Sequence, residues 1–167
     1  MSFTDEELTA YHECGHAVVA FALGARIESI TLFPEDVDDR PRRFGEAIVN
    51  WGRVDANGQE QLLKEMSVAM AGPMAESLYR GEAMHPALVA EYSDDWDTAW
   101  QAATKIIPSE VQRMKILSRV ARQISNILEN QEYWAAVAAL SDELMAHEQL
   151  DEDQISDCLR FWFDRMA

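Results

Sequence analysis

Apolar positions along this chain recur mostly with the period of a helix, interrupted once by a stretch that alternates like a strand. Leu8, Tyr11, Val18, Val19, Ala22 and Leu23 mark the first helix. Thr4 followed by Glu7 makes a capping box, Asp5 and Glu6 suit the positive end of the helix dipole, and Gly24 is a stop. Ile27, Ile30 and Leu32 predict a short strand over residues 26–33. Residues 34–43, with two prolines and many charges, predict a loop. Residues 44–51 predict a second strand, with turns at Gly52 and Asn57-Gly58.

The helical period returns at Gln59, where Leu62, Leu63, Met66, Met70, Met74 and Leu78 share a face up to Gly81. Pro73 lies inside that stretch and predicts a kink or a division into two helices. Residues 82–92 are irregular; Ser93 or Asp94 is expected to cap a helix reaching Ile107, which Pro108 breaks. Ser109 with Gln112 caps another, with Val111, Met114, Leu117, Ala121, Ile124 and Leu128 on its apolar face. Residues 134–147 predict a fifth helix, and Asp151 with Gln154 caps a last one ending near Phe163. The expected fold is mainly α (α+β): a helical bundle with a two- or three-stranded accessory sheet near the N-terminus. We expect one domain over residues 1–167, with the first helix and sheet in 1–58 and a helical remainder in 59–167.

Composition narrows the classes of function. With 167 residues, 48% hydrophobic and 26% charged, the chain can bury a substantial core. Thirty acids against 14 bases give a formal charge of -16, which repels phosphate backbones and anionic lipid. Nucleic acid is therefore excluded as a partner. No apolar run reaches the roughly 18 residues of a spanning helix, so stable membrane insertion is not expected. Residues 1–10 carry acids and no basic, apolar leader. Cys14 and Cys158 form no disulfide framework and are expected as reduced thiols of a cytoplasmic protein.

His12-Glu13-Cys14-Gly15-His16 has the pattern H-E-x-x-H. A helix turns about 100° per residue, so the two histidines stand about 40° apart, one turn along the axis. Their imidazoles can reach one point, and that point suits zinc. Glu13 lies at the edge of the same face, where it can act as general base toward a water held at the metal. Cys14 turns to the opposite side and is expected to be a packed thiol. A third ligand is still required, and residues 17–22 carry no histidine that could supply it. Glu76, His85, Asp94, Asp95 and Asp97 all qualify, and spacing does not choose among them. Acids in the first turn of a helix are also favoured by its dipole without any metal.

Four collinear segments of this chain resemble the protease domain of the FtsH family of zinc metallopeptidases. Residues 8–20, around the H-E-x-x-H motif, look like that family's motif helix, with Cys14 where alanine is usual. Ala71-Gly72-Pro73-Met74-Ala75-Glu76-Ser77-Leu78-Tyr79-Arg80-Gly81 is similar to its A-G-R-x-A-E-E-L-x-x-G helix, Ser93-Asp94-Asp95-Trp96-Asp97-Thr98-Ala99 to its S-N-D-L-x-x-A segment, and residues 139–155 to its C-terminal stretch.

The resemblance implies that Asp95 is the third zinc ligand and that Glu76 stands close behind the metal. It implies a zinc endopeptidase acting on flexible or unfolded polypeptides with Glu13 as base. Pro73 departs from the family's arginine, and residues 34–51 match poorly where the family has its substrate-side strand. None of the seven glycines precedes a lysine, so no phosphate-binding G-x-x-x-x-G-K-[ST] loop occurs. ATP-driven unfolding would then need a separate ATPase partner. A homo-oligomer and an inactive interaction domain that keeps the fold are the other readings.

Overall fold

A computed structural model describes residues 2–33 and 45–166. The loop expected over residues 34–43, and Phe44 at the expected start of the second strand, lie outside the described residues. Among the described residues the architecture is six α-helices and a small three-stranded antiparallel sheet.

Helix α1 (Asp5–Ala22) begins as the sequence predicts. The Thr4 side chain accepts from the Glu7 amide at 3.1 Å, and Glu7 accepts from the Thr4 amide at 2.8 Å. Every residue from Leu8 to Ala20 is buried, so α1 is a central helix surrounded on all sides rather than an amphipathic one. Its closest neighbour is α2 (Gln59–Arg80), and Gly15 sets their approach. A Cβ on Gly15 would meet Ala75 Cβ at 2.5 Å and the Ala71 carbonyl oxygen at 2.6 Å.

Pro73 neither ends α2 nor divides it: the helix is one element of 22 residues. Proline removes one amide donor and crowds the carbonyl one turn back. Burial of residues 69–77 against the neighbouring helices offsets that local cost. Gly81, at φ 72°, closes α2 in the left-handed conformation, with the Glu82 amide donating to the Ser77 carbonyl.

The sheet order is β2-β1-β3, from β1 (Arg26–Thr31), β2 (Glu46–Asn50) and β3 (Gln149–Asp151). Pairing of β1 with β2 slips between Ile27 and Ser29. That irregularity lets Ile27 and Ile30, three residues apart, both face the core, where strict alternation would turn one outward. The sheet is not confined to the N-terminal part, since β3 returns from the far end of the chain and buries Leu150.

Two 3-10 turns, Pro86–Leu88 and Ala90–Tyr92, occupy the segment expected to be irregular. The second runs directly into α3 (Ser93–Thr104), so buried Tyr92 takes the cap position and neither Ser93 nor Asp94 caps the helix. In α4 (Glu110–Leu128) the Ser109 cap forms, but Val111 and Met114 are exposed and the buried stripe starts at Leu117. Helix α5 (Gln131–His147) starts earlier than expected because the Asn130 side chain accepts from the amides of Glu132 and Tyr133. Asp151 and Gln154 exchange hydrogen bonds of 2.9 Å at the start of α6 (Glu152–Met166). One buried apolar cluster joins all six helices to β1 and β3. No helix among the described residues is long and apolar enough to cross a membrane.

The α1–α2 crossing predicts the effect of one added methyl group. Gly15→Ala should lower the unfolding free energy by about 1–3 kcal/mol through overpacking. Urea denaturation of the metal-free protein measures this; unchanged stability would mean that the two helices separate freely.

Candidate metal centre

His12, Glu13 and His16 occupy the buried face of α1 toward α3, with only 8–9% of each residue exposed. The two imidazole centroids lie 4.9 Å apart with their planes at 73°. From α2, the Val68 carbonyl accepts a hydrogen bond from His16 Nδ1 at 2.6 Å. Gly72, on the same helix, leaves the space that the His16 ring fills. A Cβ there would stand 2.2 Å from Nε2 and 2.5 Å from Cε1.

Asp95, in the first turn of α3, faces both rings from across the cleft. Its Oδ2 accepts from His12 Nε2 at 2.7 Å, and its Oδ1 lies 3.2 Å from His16 Nε2. Both nitrogens of His16 thus face acceptors, which is the hydrogen bonding of an imidazolium. Burial disfavours that cation, but the Asp95 carboxylate more than compensates and the His16 pKa rises to about 9. Burial also works against the Asp95 anion, yet His16 and His12 together hold its carboxyl well below the usual range.

This donor set fits a zinc ion. One atom from each of His12, His16 and Asp95 lies within 4.8 Å of the other two. A tetrahedral ion with bonds of about 2.0–2.1 Å places its ligands about 3.3 Å apart. The Val68 hydrogen bond keeps a proton on His16 Nδ1, so Nε2 is the nitrogen that would ligate an ion. His12 differs, because its Nδ1 is buried with no hydrogen-bond partner among the described residues.

The remaining third-ligand candidates stand apart from this cluster. Asp94 is exposed at the cleft margin, and Asp97 is exposed outside it. His85 accepts from the Ala87 amide through Nδ1 and pairs with Ser118 Oγ at 2.8 Å through Nε2. Glu76 is fully buried on α2 with the Arg80 guanidinium 3.9 Å away, and it does not line the cleft. Cys14 is packed in the core, where burial pushes its thiol far above the usual range.

The histidine pair opens into a cleft of about 860 Å³. Strand β2 forms one wall through Ala47 and Val49, continued by Trp51, and Val68 and Ala69 of α2 form another. Glu13 lines this space, and burial raises its pKa against the opposing pull of His12 and His16. Gly45 brings the chain against the base: a Cβ there would meet Glu13 Cγ at 2.6 Å and Thr9 Cγ2 at 2.7 Å. Gly45, Val68 and Gly72 escape a motif reading. The one signal is Gly72 itself, since glycine inside a helix costs about 1 kcal/mol relative to alanine and implies a packing reason.

No protein-family model matches the chain, and no curated protein matches it significantly.

Two outcomes follow for the site. Gly72→Ala should displace the His16 ring and weaken zinc binding at least about tenfold while helicity is retained, measured by competition with a chromophoric chelator and by circular dichroism. The pH dependence has a definite sign. In the metal-free protein the His16 contribution to stability is full below 6.5 and is lost as pH rises through about 9. The Asp95 contribution is present above 3.8 and is lost as pH falls through its lowered value. The melting temperature in chelator should therefore fall from pH 6.5 to 9. Zinc binding at pH 7 should release about one proton from His16, read from the buffer dependence of the calorimetric enthalpy.

Proposed function

We propose that this chain is a zinc endopeptidase that hydrolyses peptide bonds in flexible or unfolded polypeptides. The observation that carries the reading is the convergence of His12, His16 and Asp95 beside Glu13 in one open cleft. Two imidazoles and a carboxylate are a zinc donor set that leaves a coordination position for water. Zinc held there would supply Lewis-acid polarisation of a carbonyl and acidification of water. The resemblance of four segments to the FtsH-family protease domain agrees with this chemistry and is part of the same proposal.

Glu13 performs the proton transfer. Its buried carboxylate takes a proton from water as the C–O bond forms, then gives it to the amine as the C–N bond breaks. Burial raises its proton affinity, which suits a group that must first accept and then donate. The substrate chain binds in extended form along β2. That strand pairs with β1 on one edge, while no strand covers its other edge among the described residues. An added peptide strand would satisfy those backbone groups and pass in front of the histidine pair. An unfolded segment can adopt that geometry, whereas a folded surface cannot enter the cleft.

Glu13→Gln should keep one zinc per chain and lower hydrolysis of unfolded casein by about 10²–10⁴-fold. Undiminished turnover by that variant removes Glu13 from the mechanism. Zinc-loaded native protein that cuts no casein or peptide would favour an interaction domain instead.

A further inference from the structure

We infer that copies of this chain associate head to tail, the basic outward face of α4 on one copy seating on the acidic first half of α6 on the next. This association does not depend on the peptidase reading. Helix α4 carries its apolar period beyond the core, leaving Val111 65% and Met114 41% exposed. The His85–Ser118 hydrogen bond ties to the same helix the 3-10 turn bearing Leu88, which is 83% exposed. In a chain of formal charge -16, residues 111–122 hold four bases and no acid. Arg113 is engaged by the Ile107 and Pro108 carbonyls, whereas Lys115, Arg119 and Arg122 are exposed and form no ion pair among the described residues. Helical geometry puts Val111, Lys115, Arg119 and Arg122 within about 80° of arc, so apolar and cationic groups share one outward face.

The complementary surface belongs to the same chain. Residues 142–157 hold seven acids and no lysine or arginine, and Arg160 is the first base after them. Glu152 is paired with Arg26, but Asp153 and Asp157 of α6 are exposed and form no ion pair among the described residues. Phe161, 56% exposed on the same helix, offers an apolar counterpart to Val111. Helix α4 packs mainly on α2, whereas α6 packs on α5 and β1, so the two faces flank different parts of the core and meet only between molecules. Pairing α4 with α4, or α6 with α6, would oppose like charges, which leaves the heterologous contact. At physiological salt the repulsion between whole molecules is screened beyond about 8 Å, so complementarity at the contact decides the outcome.

The test is sedimentation velocity of the zinc-supplemented protein over rising concentration, where the native chain should self-associate. Two double variants, Lys115→Glu with Arg119→Glu and Asp153→Lys with Asp157→Lys, should each weaken that association at least about tenfold while circular dichroism stays unchanged. An equimolar mixture of the two variants should associate again, because their reversed faces complement each other. A net-charge effect would instead weaken the first variant and strengthen the second, and that pattern overturns the inference. Association untouched by either reversal, or a mixture that stays apart, rejects this pair of faces. A native chain that remains monomeric overturns self-association; binding of a fluorescein-labelled glutamate-rich peptide to that monomer, lost in the α4 variant, would assign the face to a foreign acidic partner.

Discussion

The geometry of the site depends on the contact between the Asp95 carboxylate and the paired imidazoles of His12 and His16. These groups are brought together across 83 and 79 residues of chain, respectively. A partly buried carboxylate would carry a desolvation penalty if it stood alone. The same holds for a cationic His16, so each ion makes the other tolerable and neither helix could present its half unaided. Placing the first turn of α3 beside α1 therefore has an electrostatic condition. A divalent ion would satisfy that condition in another way, replacing the shared proton with a shared metal.

Packing fixes where the contact occurs. α1 is enclosed along thirteen consecutive residues, which leaves its histidines no freedom to turn toward solvent. Gly15 on α1 and Gly72 on α2 each yield space at this crossing, the first to Ala71 and Ala75 of α2 and the second to the His16 ring. Together with the Val68 carbonyl they orient an imidazole before any ligand arrives. On the opposite wall, Gly45 lets the chain entering β2 press on Glu13, so the base and the sheet edge are held in one register.

Local features were the most legible in the sequence. The Thr4–Glu7 box, the one-turn spacing of the histidines and the Asp151–Gln154 cap are each complete within a few residues. Asp95 could not be chosen from Asp94 and Asp97 by spacing, because its direction depends on where α3 starts. Tyr92 and the 3-10 turn before it determine that start, and no sequence cap announces it. β3 has only three residues, too few to show alternation. Pro73 is tolerated for tertiary reasons that local propensity does not register. The apolar face of α4 had the right period, but Val111 and Met114 precede the part of the helix that meets the core.

The return of residues 149–151 to the sheet has a bearing on how the protein is made. While the chain is still being synthesised, β1 can pair with β2, but its other edge stays uncovered until β3 has left the ribosome. A two-stranded ribbon is marginal in water by itself. The wall bearing Val49 and Trp51 therefore gains its full support only after α5 has been translated, so a nascent chain passes through a stage with its histidine helix made and its cleft unfinished.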